Sequence, residues 1–178
     1  AAPKKMDKIA REIEEARKRT GDVVTCSPFG KVPGTLTIEE ASKKLHPGMI
    51  LRLLPGKYNP LDLVVFEQDR LIIESDNSGG YVDLPLYLYG KDCIVRNICV
   101  RAVEVDSGVI VDSKAHSISI TSGTKRGTAI VANCAANNLT FYDNAQDITV
   151  RNTSVVNGVQ VKDEGRVVNL RVYTTHAI

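Results

Sequence analysis

The sequence predicts an all-β chain: a right-handed parallel β-helix of about four to five coils with amphipathic capping helices at its N-terminal end. Three observations predict it. Helical periodicity is confined to residues 3–19 and 38–45. From Met49 onward, apolar residues recur at every second position in about a dozen short segments, most about ten residues apart. The segments also resemble one another, Val95-Arg96-Asn97 returning as Val150-Arg151-Asn152, whereas a tight hairpin dipeptide occurs only at Asn157-Gly158.

Met6, Ile9, Ala10, Ile13 and Ala16 fall at helical spacing among charged residues, and Gly21 follows as a stop. Residues 21–35 carry prolines and glycines and read as a linker. Thr37 and Glu40 form a capping box opening a helix over about 38–45, which Pro47-Gly48 ends. This gives an N-terminal helix and linker over 1–34 and a strand domain over 35–178. The strands expected are 49–54, 61–66, 71–73, 84–89, 93–95, 109–111, 118–120, 129–131, 139–141, 148–150, 159–161 and 168–172. Placing Cys93/Val95, Ile118/Ile120, Ile148/Val150 and Val168/Leu170 on one inward face gives coils of about 20 to 30 residues. The same register turns Asn97 and Asn152 inward at a corner, where their amides would bond along the stack.

Net charge is +2 and basic residues alternate with acidic ones in the first helix, so no nucleic-acid partner is expected. No apolar run approaches the ~20 residues of a membrane span. Cys26, Cys93, Cys99 and Cys134 lack metal-binding spacing and read as free, mostly buried thiols; no metal site is expected. The small opening residues Ala1-Ala2 suit either a trimmed secreted or periplasmic form or an added end.

Residues 36–58 contain a short helix, Pro47-Gly48, an apolar strand and then Pro55-Gly56-Lys57-Tyr58. This phrase resembles the opening coil of the pectin-lyase-like superfamily, closest to its chondroitinase B and alginate lyase type. The resemblance implies a β-helix whose first rung is covered by the helix. It also implies activity on uronate polysaccharides, with calcium as a cofactor only where a lyase is at work. The calcium-binding acids and the catalytic Lys and Arg of those lyases have no counterpart motif here, so none is carried over, and no cofactor is expected otherwise.

The inward register aligns Arg96, Thr121, Arg151 and Arg171 in one outward column, with Asp92 and Asp147 on the same strands. Arginine engages carboxylate or sulfate through two parallel bonds, so the column would form a groove for an acidic glycan. The plain alternative is a solvated face of Asp–Arg surface pairs. Lys125 and Arg126, in the polar loop 121–127, would reach a polyanion or simply form a turn. Three function classes follow: a non-catalytic or degenerate module binding acidic polysaccharide, a lyase acting by β-elimination, or a structural protein that self-associates through its C-terminal coil.

Overall fold

A computed structural model describes residues 7–121, 128–142, 148–161 and 171–173. The chain opens with helix α1 (Lys8–Lys18), strand β1 (Val23–Cys26) and the short helix α2 (Ile38–Ser42). Then come β2 (Ile50–Leu53), β3 (Gly56–Lys57), β4 (Val65–Phe66), β5 (Ile72–Ser75) and β6 (Tyr81–Leu88). They are followed by β7 (Cys93–Arg96), β8 (Cys99–Val105), β9 (Gly108–Val111), β10 (Lys114–Ile120), β11 (Ala129–Ala132) and β12 (Ala135–Phe141). The last are β13 (Ile148–Arg151), β14 (Ser154–Val155), β15 (Val159–Val161) and β16 (Arg171–Tyr173).

These strands build two sheets of parallel pairs. The first runs β1-β2-β5-β7-β9-β11-β13-β16. The second runs β3-β6-β8-β10-β12-β14, with β4 also on β6 and β15 also on β12. From β5 onward the chain lays one strand in the first sheet, turns, lays the next in the second, and returns. Among the described residues of this stretch there is no helical crossover, in keeping with the period-two pattern.

Ladder partners in the first sheet, Ile50, Ile72, Ile94, Val109, Ile130, Thr149 and Arg171, lie 15 to 22 residues apart. This corrects the expected register, while the spacing is near the shorter end of the expected repeat. Ile118 and Ile120 belong to β10 in the second sheet, not to the sheet of Cys93, Val95, Ile148 and Val150. Both sheets show the same apolar alternation, so periodicity could not separate them. The shorter repeat gives the first sheet 8 strands, more than four to five coils would supply. Val168 and Leu170, and the C-terminal end expected to self-associate, lie outside the described residues.

The facing sides of the sheets share one core. Leu51, Ile73, Val95, Ile110 and Val131 meet Val82, Leu86, Val103, Ile118, Leu139 and Phe141 in a single buried cluster. Each such side chain contributes roughly 1.5–3 kcal/mol through burial. Ile38, Ala41 and Leu45 join this cluster, and α2 packs against edge strand β1. The capping box forms: Glu40 N–H donates to Thr37 Oγ1 at 3.1 Å and Thr37 N–H to Glu40 Oε1 at 3.3 Å. The Tyr58 hydroxyl of the Pro-Gly-x-Tyr phrase donates to the carbonyls of Cys26 (3.0 Å) and Leu54 (2.7 Å), tying the first turn to β1. Gly56 is required there, because its φ is +132° and a Cβ would stand 2.6 Å from Pro28 Cγ.

Two expectations about the N-terminus are corrected. Helix α1 caps no end; it lies across the outer face of the first sheet, against β7, β9 and β11. Ile50, Ile72, Ile94, Val111, Ile130 and Ala132 point outward from that sheet, and Ile13 and Ala16 of α1 close over them. A parallel sheet apolar on both faces needs such a cover. Residues 21–35 are not a plain linker, since Val23–Cys26 pair with Ile50–Leu53. Packing therefore continues across residue 34.

Asn97, Asp112, Asn133 and Asn152 each follow a first-sheet strand in the left-handed region, with φ of 51°, 53°, 50° and 45°. Asn and Asp tolerate this region better than other non-glycine residues. Asn97, Asp112 and Asn133 carry the ladder round the corner, their N–H groups donating to Val111 O, Ala132 O and Arg151 O at 3.1–3.2 Å. The expected amide bonds along the stack occur: Asn97 donates to Asn77 and Asn152 to Asn133. The side chains are exposed, not inward, because the left-handed residue breaks the alternation of the strand before it.

Candidate functional site

The arginines expected in one column are not neighbours. Arg96 faces Val111, Val111 faces Ala132, and Ala132 faces Arg151, so two small apolar rungs separate them. Arg151 faces Tyr173, while Arg171 faces Thr149, two positions out of line. Thr121 lies just past β10 at the edge of the second sheet, its N–H donating to Val105 O at 2.8 Å. Asp147, Lys125 and Arg126 lie outside the described residues.

Arg96 and Arg151 hold α1 in place. Arg96 Nη1 donates to the carbonyls of Ala16 (2.9 Å) and Arg19 (2.8 Å) at the C-terminal end of the helix, where the backbone dipole favours a cation. Its Nη2 lies 2.7 Å from Glu74, which also binds Arg52 at 3.0 Å. Arg151 lies 3.2 Å from both carboxylate oxygens of Asp7, the N-cap of α1. The Ala10 N–H and then Arg151 hold the Asp7 carboxyl below its ordinary value. Between these two pins, Arg17 of α1 makes two 2.9 Å bonds to Asp112 and lowers its pKa. Asp92 stands at the corner before β7, its N–H donating to Ser107 Oγ at 3.1 Å.

Among the described residues, the outer face of the second sheet carries no helix and is largely polar. Tyr87, Glu104, Ser119 and Thr140 stand opposite one another on β6, β8, β10 and β12. Pro85, Ala102, Ser117 and Asn138 form the adjacent row. Neighbouring strands lie about 4.8 Å apart, so each row is a ladder of groups at that spacing. One residue past the strands, Tyr89 donates to Glu104 and Thr121 donates to Asp106. Burial and the bond to Glu104 push the Tyr89 phenol up, which keeps it protonated and a donor at neutral pH. The rings of Tyr87 and Tyr89 are 6.4 Å apart and tilted by 55°.

The opposite margin, at the strand starts, is basic. An irregularity in β6 sets Asp83 against Arg101, and the two pair. His116 Nδ1 is 2.9 Å from Asn137 Nδ2, and Asn157 Nδ2 donates to Asn138 Oδ1 at 3.1 Å. Lys114 is exposed beside them. The face thus offers hydroxyls, amides and carboxylates on a flat lattice, with tyrosine rings toward one margin. Such a surface can bond a hydroxyl-rich chain and support its apolar faces.

Sequence reading passed over this face, although its signal was present. Cys99–Val105, Lys114–Ile120 and Ala135–Phe141 each alternate, and their outward positions are polar or small. Among the described residues, no three or more His, Cys, Asp or Glu side chains converge as metal ligands. Cys26, Cys93 and Cys134 are buried and Cys99 is partly exposed; all are free thiols. Burial pushes the Cys26 and Cys134 thiols up to about 12, so they pack as neutral groups. No helix among the described residues is long and apolar enough to cross a membrane.

No family model, curated protein or solved structure matches this chain. The likeness to a pectin-lyase-like opening coil rests on residues 36–58 alone.

Proposed function

We propose that this chain is a right-handed parallel β-helix module that holds a polysaccharide along the open face of its second sheet without cleaving it. Regular alternation between two parallel sheets supports the coil. Strand–crossover–strand connections in one parallel sheet are right-handed in about 98% of cases, which supports the hand. The observation that carries the functional reading is the contrast between the two outer faces. One is apolar and covered by α1; the other, among the described residues, presents the partly exposed Tyr87, Glu104, Ser117, Ser119 and Asn138. Arg96 and Arg151 are engaged by α1 and its surroundings, so the reason for an exclusively acidic glycan moves with them.

Affinity electrophoresis tests this. Gels containing hydroxyethyl cellulose, glucomannan, alginate, pectate or chondroitin sulfate should slow the protein in at least one case. Tyr87→Ala and Ser117→Trp, both on the open face, should restore free mobility. Unchanged mobility of the wild-type protein in every gel would sink the reading. A rise in unsaturated-uronate absorbance on alginate, pectate or chondroitin would replace holding by β-elimination.

A further inference from the structure

Between α1 and the first sheet lies a cleft of about 310 Å³, large enough for a small metabolite. Glu12 and Glu15 of α1, with Arg19 just after it, form one wall, and Arg70 and Asp92 stand at the corner opposite. Elsewhere around this helix, four ion pairs match charges within the chain. Arg17 pairs with Asp112, Lys18 with Glu14, Arg151 with Asp7 and Arg96 with Glu74. Among the described residues, the side chains of Glu12, Glu15, Arg19, Arg70 and Asp92 make no ion pair or hydrogen bond with protein groups. Charges of both signs therefore share one cavity without neutralising each other by contact.

The backbone keeps this cavity open. Gly108 lines it with a φ of +127°, and a Cβ there would stand 1.9 Å from the Cys93 carbonyl oxygen. No side chain can fill that part of the floor. Arg70 and Asp92 occupy successive rungs at one corner, both left-handed, with φ of 58° and 57°. Aspartate adopts this region readily; arginine seldom does.

We propose that this cleft binds a small amino-acid-like zwitterion, with its carboxylate on Arg19 and Arg70 and its ammonium among Glu12, Glu15 and Asp92. Guanidinium forks suit a carboxylate, and carboxylates accept all three ammonium donors. Three acids against two arginines leave the lining one charge negative. A second amine answers that charge, so a diamino acid fits better than a monoamino one.

Calorimetric titration of the full chain with L-lysine tests the site. L-lysine should bind, and L-leucine should bind more weakly. Asp92→Asn and Arg70→Asn both leave a residue type that tolerates the left-handed corner. Each should weaken L-lysine by about tenfold or more, as expected for loss of a charge-assisted bond. L-lysine methyl ester should lose a similar factor on the wild-type protein, which needs no folded variant, and should bind wild type and Arg70→Asn alike. No heat with L-lysine at millimolar concentration, or equal affinity for L-lysine and its ester, overturns the proposal. This site lies on the opposite sheet from the polysaccharide face. Asp92→Asn should leave the slowing by polysaccharide, measured against the same variant in a plain gel, unchanged, so either reading can fail alone.

Discussion

Arg96 shows how much one side chain can tie together. It joins Glu74 on the neighbouring strand to two carbonyls at the end of a helix some eighty residues earlier in the chain. Its side chain is 12% exposed and that of Glu74 13%, so the pair is largely removed from water. Arg96→Met would leave Glu74 with Arg52 alone and two helix carbonyls without this donor. Breaking a buried pair costs roughly 3–5 kcal/mol, whereas Arg101→Ala, at an exposed pair, should cost about 1 kcal/mol or less. Urea unfolding of the two variants checks this, and equal losses would contradict the burial argument.

At the scale of elements, α1 is a cover held by an apolar stripe and pinned by charges. Asp112, lowered by its bonds to Arg17, links the cover to pH. A carboxyl lowered in the folded state adds stability above its unfolded pKa of about 3.9, and that stability is lost as pH falls through the folded value. Acidification below about pH 4 should therefore weaken the protein, with a shallower slope in Asp112→Asn. Denaturant midpoints between about pH 2 and 7 measure both slopes; identical slopes would remove Asp112 from the account. The apolar stripe is the larger contribution. Ile13→Ala should cost about 2–4 kcal/mol at any pH, because it opens a cavity over Ile72 and Ile94.

The whole molecule is a stack in which each rung touches mainly the next. Its stability should then resemble a sum of rung and neighbour terms, with fraying from the ends. Amide hydrogen exchange should be slowest over β5 to β10, where a rung lies on each side, and faster toward β1 and β14. Uniform protection across the ladders would mean that the stack opens as one unit.

Amphipathic spacing, the Thr37–Glu40 box, the turn at Pro55-Gly56 and most strands from Ile50 onward were legible in the sequence, because they are set by neighbours within a few residues. β1 was hidden because four residues between glycines and prolines carry too little pattern. The sheet to which each strand belongs, the rung spacing and the position of α1 were decided only by tertiary packing. Local alternation states that a strand has an inner and an outer side, not which strand lies beside it. That is why Arg96 and Arg151 read as a groove in sequence, and why the folded chain turns them to clamping its own helix. The polar face of the second sheet existed residue by residue in the sequence, but it became a surface only when parallel pairing set those residues side by side.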